Sequence, residues 1–374
     1  MSADVSPTDG RPRAALLNSP NRFKLAVFGA NVSGGCSITD AEGAIEVSWE
    51  ESRRIAQLAD RAGIEAMIPV ARWKGFGGTT NFNDRCFETF TWAAGVAAVT
   101  ERIQMFATMQ VPTVHPVRAA KEAATIDHIS NGRFGINMVA GWNEGEVRMF
   151  GIPQRPHDER YAVSDEWATL IKRIWQEDTF DFDGRFFQMP GVHSEPKPVQ
   201  RPGPAIMSAG QSPAGSDFAA RHADVQFIFL PDLTATQRIV TDLKRNALEK
   251  YGRRLKVMSL AYVVCRHTEQ EAREYYDYYV HRKGDWEAAR NLIRGFGANS
   301  ESAPCEDEKF VEAIVAGYGA LPLIGTPDQI VDRLLALSNQ GIDGVTLSWV
   351  NYTEGLQQYE RELLPRLRAA GLRV

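Results

Sequence analysis

The chain has 374 residues, 44% of them hydrophobic, and a formal net charge of −5. A chain of this length buries roughly three quarters of the surface that it exposes when unfolded, so a large cored protein is expected. The acidic balance gives no electrostatic case for nucleic acid, and no run approaches the ~18 apolar residues that a membrane span needs.

The four cysteines, Cys36, Cys86, Cys265 and Cys305, lie far apart without a CxxC pair. That pattern suits reduced structural thiols in a cytoplasmic protein. Residues 1–21 are polar and proline-containing, and the apolar run Ala14–Leu17 is too short for a signal sequence. A mobile N-terminal arm is expected there, with a strap on a partner subunit as the other reading.

Apolar β-rich runs then alternate with amphipathic helical ones. The first strand is expected at Phe23–Phe28, followed by a helix over Ser48–Ala62. Ser48-Trp49-Glu50-Glu51 reads as a capping box, with Ser48 and Glu51 satisfying each other's free backbone donors. Strand 2 is expected at Ile64–Val70, with a helix over Glu88–Thr100. Strand 3 is expected at Ile103–Met109, with a helix from Pro116 to Ile129, and strand 4 at Arg133–Val139. The next helix, Arg160–Trp175, places Val163, Trp167, Leu170, Ile171 and Ile174 on one face. A hairpin of Thr179–Phe182 and Arg185–Gln188, turned at Asp183-Gly184, reads as an excursion outside the alternation.

The pattern resumes with strand 5 at Ala205–Ser208 and a helix over Pro213–His222. Strand 6 is expected at Val225–Leu230 with a helix near Ala235–Tyr251, and strand 7 at Leu255–Val264 with a helix over Glu269–His281. Strand 8 at Gly344–Val350 and the helix Glu354–Arg368 close the chain. Eight strands, each followed by a helix and apolar on both faces, predict a single (β/α)₈ barrel domain over residues 22–374. A doubly wound open sheet is the alternative. Residues 282–324 read as a lid or interface insertion with a loop-like stretch at Gly295–Pro304, ahead of a helix opened by Thr326-Pro327.

In such a barrel, ligand chemistry gathers in the loops after the carboxyl ends of the strands. Strand 2 runs into Ala71-Arg72-Trp73-Lys74-Gly75-Phe76-Gly77-Gly78, where glycines would let backbone approach a flat ligand and Arg72 and Lys74 supply charge. A solvated loop is the plain alternative. Asn137 is a polar residue inside an apolar strand, suited to face a ligand or to bond a neighbouring loop. Gly210-Gln211-Ser212-Pro213 feeds a helix whose N-terminus suits a phosphate, though Ser before Pro is also ordinary capping. Arg160-Tyr161 could add a guanidinium and a ring to the same ligand. Of the histidines, His128 and His222 read as structural, while His115 is better placed for chemistry. The histidines form no metal-spaced set, and no GxSxG, GxxxxGK or dinucleotide fingerprint stands at a strand–helix junction.

Gly75–Gly78, Ala98–Ile103, Ala124–Asp127, Gly132–Gly135, Gly141-Trp142, Arg160-Tyr161 and Ala209–Ser212 with Ala214-Gly215 resemble the bacterial luciferase-like flavin-dependent monooxygenases, most nearly the pyrimidine monooxygenase branch. Asn31–Gly35, His157–Tyr161 and Pro196–Pro198 look like the dimethylsulfone monooxygenase branch. The resemblance implies a two-component enzyme, in which a separate NAD(P)H:flavin reductase supplies reduced FMN for reaction with O₂. It implies that Ala71 and Arg72 border the flavin, with Arg72 standing where the pyrimidine branch has Lys. Asn137, Glu146, Arg160, Tyr161 and Ser212 would contact its ring, ribityl chain or phosphate.

Thr108 and Asn137 match a pair associated in the pyrimidine branch with oxygen addition at flavin N5 rather than C4a. On neighbouring strands they can present a hydroxyl and an amide to one point on the flavin. The substrate is expected to be a small molecule such as a pyrimidine-like cyclic amide, a sulfone or a halogenated aromatic. A flavin consumed as substrate, a deazaflavin-dependent oxidoreductase and a non-catalytic flavin-binding protein are the alternatives. Substrate determinants are expected in Val32–Val47, Val111–His115 and Arg282–Pro322, no metal is expected, and a homodimer or homotetramer is anticipated.

Overall fold

The computed structural model describes residues 14–230, 234–297 and 307–374. In chain order the elements begin with α1 (Ala15–Asn18), β1 (Lys24–Phe28), α2 (Trp49–Arg61), β2 (Ala66–Ile68), α3 (Thr89–Ala98), β3 (Gln104–Gln110), α4 (Pro116–Ile129) and β4 (Phe134–Val139). Next come α5 (Glu144–Met149), α6 (His157–Gln176), β5 (Thr179–Asp183), β6 (Gln188–His193), β7 (Ala205–Ser208), α7 (Pro213–His222), β8 (Val225–Ile228), α8 (Thr236–Tyr251) and β9 (Lys256–Cys265). The last third holds α9 (Glu269–Asp277), α10 (Trp286–Gly297), α11 (Glu308–Gly317), β10 (Leu321–Gly325), α12 (Pro327–Asn339), β11 (Gly344–Ser348), α13 (Tyr352–Gln358) and α14 (Leu364–Ala369).

Eight parallel strands close in the order β1, β2, β3, β4, β7, β8, β9, β11, with β11 returning to β1. This is the expected (β/α)₈ barrel. Alternate strand residues build two cores. Ala26, Phe106, Met207 and Met258 fill the interior, while Leu25, Met67, Ile136 and Val345 meet helix residues such as Ile55, Trp167 and Leu334. The register sets Thr108 beside Asn137 and Asn137 beside Met207.

Several boundaries and one strand differ from the sequence reading. The second strand of the hairpin is Gln188–His193, not Arg185–Gln188, because Gly184 and Phe187 close the turn with a backbone bond of 2.9 Å. Ser48 caps α2 by accepting from Glu51 N at 3.1 Å, but the Glu51 carboxylate turns to the Glu46 backbone, so the box is half formed. The insertion contributes β10, which pairs with the outer half of β9 beyond the end of β8. Pro322 interrupts the short run that forms β10, which hid it; an edge position tolerates the missing donor. Asn143-Glu144-Gly145-Glu146, to which the sequence reading gave no element, opens the short helix α5.

Of the arm expected over residues 1–21, residues 1–13 lie outside the described part. Residues 14–21 lie against the barrel: Leu16 is fully buried and its N–H donates to Gln104 Oε1 at 3.0 Å. Most of the stretch expected to be loop-like at Gly295–Pro304 is also outside the described residues, as is Cys305. Among the described residues, no helix is long and apolar enough to cross a membrane, and no group of three His, Cys, Asp or Glu side chains could hold a metal.

Candidate active site

At the carboxyl ends of the strands a cleft of about 670 Å³ opens, lined by β1, β3, β4, β7 and β8, by the segment after β2 and by the insertion. Ala71, Arg72, Thr108, Asn137, Arg160, Tyr161, Gly210, Gln211 and Ser212 all line it, so the fold brings nine of the ten candidate positions together. Glu146 lies one layer behind. It is fully buried, sits 3.7 Å from Arg72 Nη1, and accepts from Trp73 N at 2.9 Å and Gln110 Nε2 at 2.6 Å.

Arg72 leaves β2 and is held from several sides. It donates to Tyr318 Oη at 2.7 Å and to the Ala71 carbonyl at 2.9 Å, and its guanidinium lies 4.9 Å from the Trp142 ring centre. Burial works against its charge, but Tyr318 and Glu146 outweigh that and hold its pKa above the ordinary value. Cys86 nearby stays a thiol, pushed up to about 11 by burial.

Thr108 and Asn137 face each other across β3 and β4. The Thr108 hydroxyl donates to the Pro69 carbonyl at 2.5 Å and accepts from Asn137 Nδ2 at 3.1 Å. Asn137 Oδ1 is left buried with no partner. A buried amide oxygen without a partner is uncommon, and one lining a cleft is an acceptor awaiting a donor.

On the far wall, β7 ends in Gly210-Gln211-Ser212 and α7 begins. Ser212 caps the helix by accepting from Gly215 N at 3.1 Å. A side chain at Gly210 would fall 2.5 Å from the Tyr161 hydroxyl, and one at Gly215 would fall 2.8 Å from Gly210 Cα. Glycine at both positions therefore lets the turn close against the Tyr161 ring and leaves the helix N-terminus open to the cleft. Gln211 spends both ends of its amide on the Phe229 backbone, at 2.7 and 3.0 Å, which fixes the turn to the end of β8. Arg160, buried at the start of α6, donates to the Gly141 carbonyl at 3.0 Å. Burial holds its pKa below the usual guanidinium value and pushes that of Tyr161 up. No Asp or Glu is among the described residues that line the cleft, so the local charge is positive.

The glycine-rich segment after β2 has another role than the one read from sequence. Gly75 to Gly78 do not line the cleft. Gly77 and Gly78 adopt left-handed φ values of 67° and 70°, and the loop clasps the insertion. Thr80 donates to Asp285 from its N–H and hydroxyl at 2.7 and 2.8 Å, and Asn291 donates to the Phe76 carbonyl at 2.8 Å. His115 caps α4, with its Nδ1 accepting from Val117 N at 3.3 Å, and lies outside the cleft. His222, as expected, is structural, bonded at 2.8 Å to Asp165.

The sequence reading expected a lid or interface insertion over residues 282–324 but named none of the side chains that roof the cleft. Phe296, Phe310, Ile314 and Tyr318 from the insertion, with Phe28 and Phe227 from the barrel, line the cleft. Tyr318 ends α11 in the left-handed region at φ 61°, an uncommon conformation for a bulky residue. The Tyr318-Gly319 pair after an apolar helix was the one local signal available. Of the expected substrate loops, Arg282–Pro322 reaches the cleft through its described residues, whereas Val32–Val47 does not and Val111–His115 lines a separate pocket beside Arg160.

Residues 28–344 match the family model described as luciferase-like monooxygenase. The chain is 33% identical over 357 residues to the FMNH₂-dependent dimethylsulfone monooxygenase of Pseudomonas putida, covering 92% of this chain and 95% of that protein. It is 31% identical over 372 residues to the pyrimidine monooxygenase of a Bradyrhizobium species, covering 94% and 98% respectively. Among solved structures, a riboflavin lyase with modified FMN and riboflavin superposes with a TM-score of 0.86 at 19% identity, over 94% of this chain and 93% of that one. The chain belongs to the luciferase-like monooxygenases, flavin-dependent enzymes on this barrel.

Proposed function

We propose that this chain is the oxygenase half of a two-component system that takes reduced FMN from a separate NAD(P)H:flavin reductase and uses O₂ to oxidise a small organic substrate. The observation that carries the cofactor assignment is the unpartnered buried Oδ1 of Asn137, in a carboxylate-free cleft that also holds Arg160 and the open N-terminus of α7. These residues fit a flavin mononucleotide. Arg160, the Ser212 hydroxyl and the positive end of the α7 dipole suit a phosphate monoester. Tyr161 offers a ring face, and Asn137 offers an acceptor to a ring N–H. Ala71 and Arg72 would border the ring, with Glu146 and Tyr318 keeping the Arg72 guanidinium in place.

Reduced FMN, when bound, supplies two electrons to O₂, so that one oxygen atom enters the substrate and the other leaves as water. The chain's own contribution is to orient the flavin and keep the site dry. Thr108 fixes the Asn137 amide by accepting from its Nδ2, and this pair is where oxygen would meet the flavin edge. The Thr108 proton is given to the Pro69 carbonyl, so the second N–H of Asn137 Nδ2, on an amide that Thr108 holds in place, is the donor of this pair that could stabilise charge developing on oxygen without reorganising. The match of this pair to the pyrimidine branch favours N5 of the flavin as the reacting atom.

Titration of the protein with FMN and with riboflavin tests the phosphate assignment. FMN should bind at least ~10-fold more tightly, since a charge-assisted contact is worth about 1.5–3 kcal/mol. Arg160→Ala should raise the FMN requirement about 10–100-fold and leave turnover at saturating flavin nearly unchanged, the mark of uniform binding. Equal affinity for FMN and riboflavin would overturn the placement.

A further inference from the structure

The walls of the cleft are chemically divided, and the division points to a substrate class. The polar groups come from β3, β4, α6 and the β7–α7 turn. The opposite side is aromatic: Phe28, Phe227 and Phe229 from β1 and β8 face Phe296, Phe310 and Tyr318 from the insertion. Phe28 and Phe227 stack at 5.8 Å with 10° between their planes, and Phe229 meets Phe227 edge-on at 6.2 Å. Phe296 and Tyr318 meet edge-on at 6.1 Å. Phe28, Phe296, Phe310 and Tyr318 are only partly buried and Phe229 is 37% exposed, so ring surface remains for a ligand to cover.

Apart from Tyr318, none of these side chains has a hydrogen-bonding group. A ligand with several polar edges would lose its water there without replacement, at about 1–3 kcal/mol for each unsatisfied group. An aromatic ring gains both burial and offset or edge-on contacts, each pair worth about 0.5–1.5 kcal/mol beyond area. The charge on the nearest cation, Arg72, is already balanced by Glu146 at 3.7 Å. Nothing on this side calls for an anion.

One directed polar contact comes from the described residues of the insertion. Tyr318 Oη accepts from Arg72 Nη2 at 2.7 Å, which leaves its own proton available to a ligand acceptor. Burial pushes the pKa of Tyr318 up, so the hydroxyl keeps that proton. Tyr318 takes its left-handed φ of 61° as the C-cap of α11, where its N–H closes the helix on the Ala313 and Ile314 carbonyls.

We infer that the aromatic side of the cleft is the substrate site and that it takes an uncharged aromatic ring carrying one hydrogen-bond acceptor. The ring lies among Phe227, Phe229 and Phe310, and the acceptor meets the Tyr318 hydroxyl. This inference rests on the assignment of the polar side to the flavin.

Acetophenone, an uncharged ring with a single carbonyl acceptor, is the probe. Its binding to the full chain is measured by equilibrium dialysis, with oxidised FMN present and absent, against uracil and dimethyl sulfone. Acetophenone should bind at least ~10-fold more tightly than either. Phe310→Ala should weaken acetophenone about 5–10-fold, as expected for a lost aromatic contact, and leave FMN affinity within twofold. Tyr318→Phe should weaken acetophenone about 3–10-fold, and should not weaken toluene, which has no acceptor. Tighter binding of uracil or dimethyl sulfone, or unchanged acetophenone affinity in both variants, would overturn the inference. Failure of FMN to bind while acetophenone still binds as expected would instead overturn the flavin assignment.

Discussion

The two ends of the barrel differ in what they do with buried charge and with the polar atoms around it. At the amino-terminal end, the Glu65 carboxylate accepts from Leu25 N and Arg373 Nη1, both at 2.9 Å, and from Ser19 Oγ at 2.8 Å. Asp60 accepts from three successive backbone N–H groups, those of Glu101, Arg102 and Ile103, at 2.7–2.9 Å. Arg133 donates to the carbonyls of Ala97, Thr100, Ile103 and Ser130. At the carboxyl end, Arg72 Nε, Gln110 Oε1 and Asn137 Oδ1 are buried without partners. The first end uses its charges to tie the chain together. The second leaves hydrogen-bonding capacity unused at the cleft, which is where a ligand can be recognised. Stability and function are thus separated along the barrel axis, the arrangement expected of this architecture.

The separation can be broken most strongly from below. Glu65 and Arg373 are each about 2% exposed, so Arg373→Met strands a buried carboxylate. The expected loss is about 3–5 kcal/mol of folding stability, read from the denaturant midpoint. FMN affinity of the folded variant should stay at the wild-type value. A variant that keeps its stability but loses FMN would mean that the two ends are coupled.

Much of this division was legible in the sequence, and what escaped has a common physical reason. The strand–helix alternation is local, so all eight barrel strands and the hairpin were placed, with errors of a few residues where strands fray into loops. Thr108, Asn137, Arg160-Tyr161 and the Gly210–Ser212 turn sit in short motifs at strand ends or helix starts. The aromatic side of the cleft had no such signature. Phe28, Phe227, Phe296 and Phe310 are ordinary apolar residues, and only closure of the barrel and seating of the insertion bring them together. Glu146 was named as a ligand contact, but its place behind Arg72 follows from α5, a helix that the sequence reading did not expect. The glycines at 75–78 were read as an approach to a ligand, yet what they approach is the insertion. A glycine motif shows that backbone comes close to something, and not to what.

A smaller effect sharpens the comparison from above. Thr108→Val keeps the shape of the side chain and removes both the bond to Pro69 and the acceptor that fixes Asn137. Product formation at saturating reduced FMN should fall at least ~10-fold, as for a displaced transition-state dipole, with more peroxide released. The apparent KM for flavin should rise by no more than a few-fold, since Thr108 touches the flavin site only through the Asn137 amide and leaves the phosphate contacts intact. A wild-type rate of product formation would show that orientation of this amide has no part in oxygen activation.

The smallest expected shift in stability lies in a corner where the amino-terminal end departs from its own rule. There Arg253 Nε is buried without a partner, and Lys172, near the end of α6, has a backbone acceptor in the His222 carbonyl at 2.9 Å. Burial, followed by the nearby Arg253 charge, lowers the pKa of Lys172 to about 8, against 10.5 for an ordinary lysine. Below pH 8 both folded and unfolded chains carry the proton, and the folded state bears the full cost of the buried ammonium. Between about pH 8 and 10.5 the folded chain releases its proton first, so the unfolded chain binds more protons and stability from this group rises with pH. Lys172→Met removes that titration. Melting curves of both proteins at pH 7 and pH 9.5 should therefore show the wild type gaining on the variant by about 2 kcal/mol, or roughly 2–3 °C in Tm. If the two respond to pH in parallel, Lys172 is solvated in the folded chain and this corner is as well satisfied as the rest of its end of the barrel.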